Sequence, residues 1–436
     1  MKVPSQDNPY AFLACFLSPW KDAKTIETLA EEIDRGKVHW ESLLHMANVH
    51  LCTPLWLVRL RKDGLLPFLP PDLRRYLESL HEANVARNQA LRKATRELLS
   101  KLNESNVPAI LLKGAASFCD DLYEDVGARM MVDIDVLVKP QHSELVRDRL
   151  LELGYHEEPD GFGESVGCFD SYAPHHLPPF RKPGTPAVIE VHIRPSRGQA
   201  GRVLPLDVVW RHSQVKTWEG LSPLVLAPSY RLLHHTAHAL VPFGQFVGST
   251  VSLAQLAEFA YLVARYGSAL NWSEWFRRGA SQGLGRQFRV YLNLAHELMA
   301  MPLPLEVTRV CWARRHVARV SVAANYRACL YGHQNPPASL VERGKWLGIG
   351  IYVLLHRCLT RPLWVWHNLC YKKGLRSVPF RLFHLFRFFV RRRANKSRLG
   401  RKAPRNTGKK MAFLLTPRHL WGRRQDVPVP GAQPGR

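Results

Sequence analysis

Apolar residues in the N-terminal part of the chain recur at helical spacing. Trp40, Leu43, Leu44 and Ala47 form one set, and Leu55, Leu57, Val58 and Leu60 the next. Residues 9–105 therefore read as helical. Pro67, Pro70 and Pro71 break the stretch, and a second helix, with many charges between its apolar positions, is predicted from Pro71 to Leu102. The period changes at Asn106. Pro108 to Gly114 is a short apolar run ending in Lys113-Gly114, which predicts a buried strand delivering into a turn. Ala115 to Tyr123 reads as a helix, Met131 to Val138 as a strand closed by Lys139-Pro140, and Gln141 to Leu153 as a helix ended by Gly154. Ala187 to Ile193 alternates like a strand, after a stretch from Pro174 to Pro186 rich in Pro and His. Strands alternating with helices indicate an α/β unit. Helical spacing returns from Tyr230 to Leu298, with Leu253, Leu256, Ala257, Ala260 and Tyr261 on one face. The expected division is an N-terminal helical region (1–105), an α/β core (106–220), a C-terminal helical region (221–342) and a basic extension (343–436) whose far end, from 394, is disordered.

Composition changes this picture in one place. The chain of 436 residues is long enough for several cores, and its apolar fraction of 46% is ordinary. The net charge of +25 is uneven: residues 343–436 hold 23 Lys or Arg against one acid, Asp426, so +22 lies there and +3 remains for residues 1–342. From Phe380 to Arg393, helical placement puts Arg381, His384, Arg387 and Arg391 on one side and Leu382, Phe383, Leu385, Phe386, Phe389 and Val390 on the other. A basic amphipathic helix of this kind suits an anionic membrane surface. Nucleic acid is a second partner for the same charge, ranked lower because no zinc-finger or aromatic RNA-binding signature accompanies it. The eight cysteines include no Cys-x-x-Cys pair, which argues against a zinc site and a secreted disulfide scaffold. No leader opens the chain, and no apolar run reaches the roughly 18 residues of a membrane span. A cytoplasmic protein is expected, soluble or peripheral at the inner face of the membrane.

Candidate chemistry centres on Asp133-Ile-Asp135. Alternate residues of a strand share a face, so both carboxylates point the same way. Like charges side by side are costly unless a cation lies between them, and oxygen donors favour Mg²⁺ or Mn²⁺. The doublet alone fits equally well with two acids on the solvated face of an edge strand. Upstream, Lys113-Gly114 ends a strand where backbone N–H groups can approach an anion, with a helix start behind them. Downstream, Glu190 interrupts Val-Ile-x-Val, where an acid is otherwise misplaced, and His192 shares its face. A third carboxylate from a neighbouring strand would complete a two-metal site for in-line transfer from a triphosphate.

The order strand, Lys-Gly, helix, Arg-x-x-x-Asp-x-Asp, strand, Glu-x-His resembles the polymerase-β-type nucleotidyltransferase superfamily, most closely its largely uncharacterised bacterial branch. The likeness includes Ile110 to Ala116, Leu122-Tyr123, Arg129 to Val138, Leu153-Gly154-Tyr155, His176 to Pro179 and Glu190-Val-His192. It extends to Trp40-x-x-Leu-Leu-x-x-Ala47 before the core and to His234 and His238 after it, covering roughly residues 38–300. The resemblance implies a nucleotidyltransferase-type mixed sheet flanked by helical regions. It also implies metal-dependent movement of a nucleoside monophosphate from an NTP to an acceptor it does not name. Asp133 and Asp135 would be metal ligands, Glu190 a third ligand or base, and Lys113 with Gly114 phosphate contacts. The sequence departs from the superfamily where a serine usually follows the glycine: it has Ala115, and Asp133 comes 19 residues after Gly114. That departure supports an alternative, a catalytically silent nucleotide-binding or scaffold protein held at the membrane surface by its tail.

Arg129, four residues before the first acid, can pair with a carboxylate or a phosphate oxygen, or simply face water. Lys113 has the same bland alternative. His192 is expected to orient Glu190 or bond the backbone rather than act as a base. His175, His176, His234, His235 and His238 read as structural or substrate-lining, since no glutamate follows His234 and the zinc protease pattern is absent.

Overall fold

The computed structural model describes residues 2–36, 38–158, 175–240 and 251–304, with Val320, Ser321 and Ala324. The basic extension at 343–436 and its amphipathic stretch at 380–393 lie outside the described residues. Among the described residues, no helix is long and apolar enough to cross a membrane.

Five helices precede the sheet. α1 (Pro9–Leu17) has every residue buried, and an all-apolar helix is stable only when other helices surround it. α2 (Ala23–Asp34) is capped by the Asp22 side chain, and α3 (Trp40–Val49) and α4 (Thr53–Lys62) follow. Lys21 and Asp63 form a buried ion pair 2.9 Å long that ties the end of α4 to the chain after α1. α5 (Pro71–Glu104) starts on proline at its first position, as a missing N–H allows, and buries a stripe running from Leu73 and Leu77 to Leu98 and Leu102. The predicted helix from Pro71 is thus present over its whole length.

The α/β part follows the alternation read from the sequence: β1 (Ile110–Leu111), α6 (Lys113–Ala116), β2 (Asp133–Leu137), α7 (Ser143–Glu152), β3 (His156–Glu157), β4 (Phe180–Arg181) and β5 (Val188–His192). The short helices α8 (Gly198–Val203) and α9 (Leu206–Arg211) lead to an antiparallel pair, β6 (Ser213–Val215) and β7 (Leu224–Leu226). The seven strands make one mixed sheet in the order β3-β4-β5-β2-β1-β7-β6. β2 lies at its centre, parallel to β5 and antiparallel to β1. Ile134, Val136, Ile189, Val191 and Phe180 bury one sheet face with Leu91, Leu98 and Leu102 of α5 and Val146 and Leu150 of α7. The period of two then turns Asp133, Asp135, Glu190 and His192 to the opposite face.

That second face is bordered by C-terminal helices: α10 (Pro228–Leu240), α11 (Leu253–Tyr266), α12 (Trp272–Ser281) and α13 (Gly285–Met299). These helices also meet the N-terminal ones. Ser18 Oγ donates to Met299 O at 2.6 Å, and Tyr10 Oη donates to Val251 O at 3.0 Å. The fold is a mixed α/β architecture, a seven-stranded mixed sheet flanked by helical regions, as expected. One predicted element is much shorter than its pattern. In place of a helix over 115–123, α6 makes a single turn and passes into a 3₁₀ turn at Ser117–Cys119. Asp120 leaves the helix because Arg231 and the Tyr266 hydroxyl hold its carboxylate, and Asp121 adopts a left-handed backbone at φ +46°.

Candidate active site

Parallel pairing of β2 and β5 sets Asp135 opposite Glu190, and Leu137 opposite His192. Asp135, Glu190 and His192 each present one ligand atom, all within 4.8 Å of one another, and no other such group occurs among the described residues. His192 Nε2 donates to Asp135 Oδ1 at 2.8 Å and lies 3.5 Å from Glu190 Oε2. Lys113 Nζ donates to the same Asp135 oxygen at 2.5 Å. Asp135 and His192 are fully buried, while the Glu190 and Lys113 side chains are about a fifth exposed (22% and 21%), so solvent reaches the cluster from their side.

Lys113 opens α6, separated from the end of β1 by Leu112 alone, with φ +45°, a left-handed conformation that costs a non-glycine residue about 1–2 kcal/mol. Leu112 N, one residue earlier, donates to Asp135 O at 3.0 Å. The chain therefore turns sharply while still anchored to β2, and the lysine stays beside Asp135.

The charges are unequal. Burial raises the Asp135 carboxyl, but Lys113 and His192 outweigh it and hold the group well below the usual carboxylate range. Burial and then the Asp135 charge push Asp133 up to about 6. Burial works against charged Lys113 and charged His192, yet the surrounding carboxylates raise both. A hydrogen bond from His192 lowers Glu190 against its burial. Three carboxylates thus meet with one lysine and one histidine. This oxygen-rich donor set fits a divalent cation.

The segment entering β2 is held by polar residues of α5. His81 Nε2 is 2.8 Å from Asp125 Oδ1. Asn84 Nδ2 donates to Gly127 O (2.6 Å) and Arg129 O (2.9 Å), and Asn88 Nδ2 to Val126 O (2.6 Å) and Arg129 O (2.8 Å). Arg87 Nε donates to Met131 O at 2.7 Å, two residues before Asp133. Reading from sequence missed this clamp. Its signal was present: His81, Asn84 and Asn88 occupy the buried stripe between Leu77 and Leu91, where a long charged helix would otherwise place aliphatics. Asn88→Ala leaves two carbonyls without this donor and is expected to lower stability by on the order of 2–3 kcal/mol. Urea unfolding measures the loss, and an unchanged midpoint would count against the clamp.

Of the two partners foreseen for Arg129, a carboxylate or a phosphate, the structure supplies a carboxylate. Its guanidinium pairs with Glu258 of α11 at 3.0 Å, and Arg129, opposing the effect of burial, brings Glu258 down to about 2. The same guanidinium fills the space above Gly114, where an added Cβ would collide with Nη1. A side chain at position 114 would have to displace the Arg129 guanidinium and the Met131 methyl group. Ser117 Oγ accepts from Arg231 Nη2 at 3.0 Å, inside the buried Arg231–Asp120 network. The His175 and His176 rings lie 5.4 and 5.5 Å from the His192 ring, and His234 Nε2 donates to Pro195 O at 3.0 Å. Burial foremost lowers His175 to about 3, His234 to about 4 and His238 to about 3, so these imidazoles border the site uncharged.

No curated protein and no solved structure matches the chain. A family model described as an uncharacterised nucleotidyltransferase matches residues 36–300, which span α3 to α13, all seven strands and every candidate residue named above. With that match over more than half its length, the chain belongs to this nucleotidyltransferase family.

Proposed function

We propose that the protein is a metal-dependent nucleotidyltransferase that moves a nucleoside monophosphate from an NTP to a hydroxyl or amine acceptor and releases pyrophosphate. The observation that carries this is the close group of Asp135, Glu190 and His192 on one sheet face, with Asp133 on the same face of β2. Asp133, Asp135 and Glu190 would hold Mg²⁺ or Mn²⁺, which when bound neutralises the triphosphate and polarises the phosphoryl group. Lys113 and the backbone at Gly114 take phosphate oxygens. His192 positions Asp135 and Glu190 through its hydrogen bonds. Glu190, the more exposed carboxylate, completes the metal site or accepts the proton of the incoming acceptor. Arg129 supports the Gly114 turn from behind through its pair with Glu258.

The test incubates the full chain with Mg²⁺, each labelled triphosphate and a cell extract, beside an Asp133→Ala/Asp135→Ala variant. Label moves to an acceptor with the wild type and stays at background with the variant. Equal labelling by both would remove the assignment. Ala115 in place of the superfamily's serine favours a second function, nucleotide binding without transfer. Metal-dependent NTP binding with no label moved would single it out.

A further inference from the structure

We propose that this site is a one-metal site in which the Lys113 ammonium permanently fills the place of the second cation. The inference deepens the nucleotidyltransferase assignment and rests on it. In two-metal transfer, two divalent ions about 3.5–4 Å apart stabilise the attacking and leaving oxygens. The carboxylate placed to bridge such a pair is Asp135, at the centre of the sheet, with Glu190 beside it on β5 and Asp133 two residues away on β2. Its Oδ1 already accepts from two donors, Lys113 Nζ at 2.5 Å and His192 Nε2 at 2.8 Å. A divalent ion on that oxygen, at about 2.1 Å, would need the space and the lone pair these donors use.

Lys113 does not leave easily. Its ammonium is bound directly by the Asp135 carboxylate, and only about a fifth of the side chain (21%) is exposed. Its backbone is held in the left-handed region at the first residue of α6. An observed outlier of this kind marks a position that the surrounding fold over-determines. Asp133 and Glu190, the members with more solvent access, remain for one divalent ion.

An ammonium also does what a second metal does for the substrate. It has three N–H donors, so one can serve Asp135 while others meet phosphate oxygens. Arg87, whose Nε donates to Met131 O at 2.7 Å, adds positive charge beside the segment entering β2.

The test counts Mn²⁺ bound per full-length chain, from the loss of the free-ion electron paramagnetic resonance signal. It uses saturating α,β-methylene analogues of ATP, CTP, GTP and UTP. One Mn²⁺ per chain is expected for the wild type and for Lys113→Arg. Lys113→Met removes the ammonium from the Asp135 oxygen, leaving only His192 on it, and is expected to bind two, a gain that a merely structural lysine would not produce. Two ions in the wild type, none while an analogue binds, or a count unchanged in Lys113→Met overturns the proposal. If Lys113→Met does not fold, the wild-type count decides alone. If no analogue binds, the nucleotidyltransferase assignment itself fails and the proposal falls with it.

Discussion

Asp135→Ala is expected to abolish transfer and also to cost the fold about 3–5 kcal/mol, the range for removing one partner of a buried ion pair. One oxygen of this carboxylate serves two donors, Lys113 Nζ and His192 Nε2. Without it, a lysine and a fully buried histidine lose their common acceptor in the middle of the sheet. Asp135→Asn keeps the shape and one acceptor oxygen, so its stability lies between the two. The sign with pH follows from the lowered carboxyl: its stabilisation is present above the ordinary carboxylate range and is lost as pH falls through the folded value. Urea midpoints for the three proteins at neutral pH measure the effect. An alanine variant as stable as the wild type would show that Asp135 does not hold Lys113 and His192 in place.

Asp133→Asn is expected to act in the opposite direction on stability while still removing transfer. Burial and the Asp135 charge raise its carboxyl from 3.8 to about 6 in the folded chain. Between those values the native state holds more protons than the unfolded chain, so stability falls as pH rises through the window and stays lower above it. In metal-free buffer at neutral pH, the ionised carboxylate therefore costs on the order of 2–3 kcal/mol, which the asparagine recovers. The variant should match the wild type below the ordinary carboxylate range and exceed it increasingly up to about pH 6. Equal stability at neutral pH would mean that Asp133 carries no uncompensated charge. A carboxylate kept at a cost to the fold is what a cation-binding position requires, and added divalent ion should narrow the gap between the two proteins.

These opposite signs come from neighbours that the sequence shows only in part. Asp133 and Asp135 were legible as a same-face pair because strand alternation is local, and the strand carrying Glu190 and His192 for the same reason. Their pairing across β2 and β5 was not local: the two segments are more than 50 residues apart, so Glu190 could be offered as a third carboxylate from a neighbouring strand but its register against Asp135 could not be read. Arg129 had a partner type but no partner, since Glu258 lies 129 residues further on. Lys113 was read as a phosphate contact, and its hydrogen bond to Asp135 depends on a left-handed turn that an apolar run followed by Lys-Gly does not specify. The three-residue strands β6 and β7 are too short for a periodicity to stand out, and α6 stops early because distant Arg231 and Tyr266 capture Asp120. The α5 clamp was the readable feature missed: polar residues in an otherwise apolar stripe need partners, and here those partners are the carbonyls leading to Asp133.

The central claim is that this sheet face moves a nucleoside monophosphate, and labels at two phosphates of the same NTP test it most directly. With Mg²⁺ or Mn²⁺ and a cell extract, label at the α-phosphate should appear in the acceptor while label at the γ-phosphate leaves as pyrophosphate. Both movements should vanish in Glu190→Gln. Transfer of the γ label to the acceptor, or α-label transfer that persists undiminished in Glu190→Gln, would contradict the account.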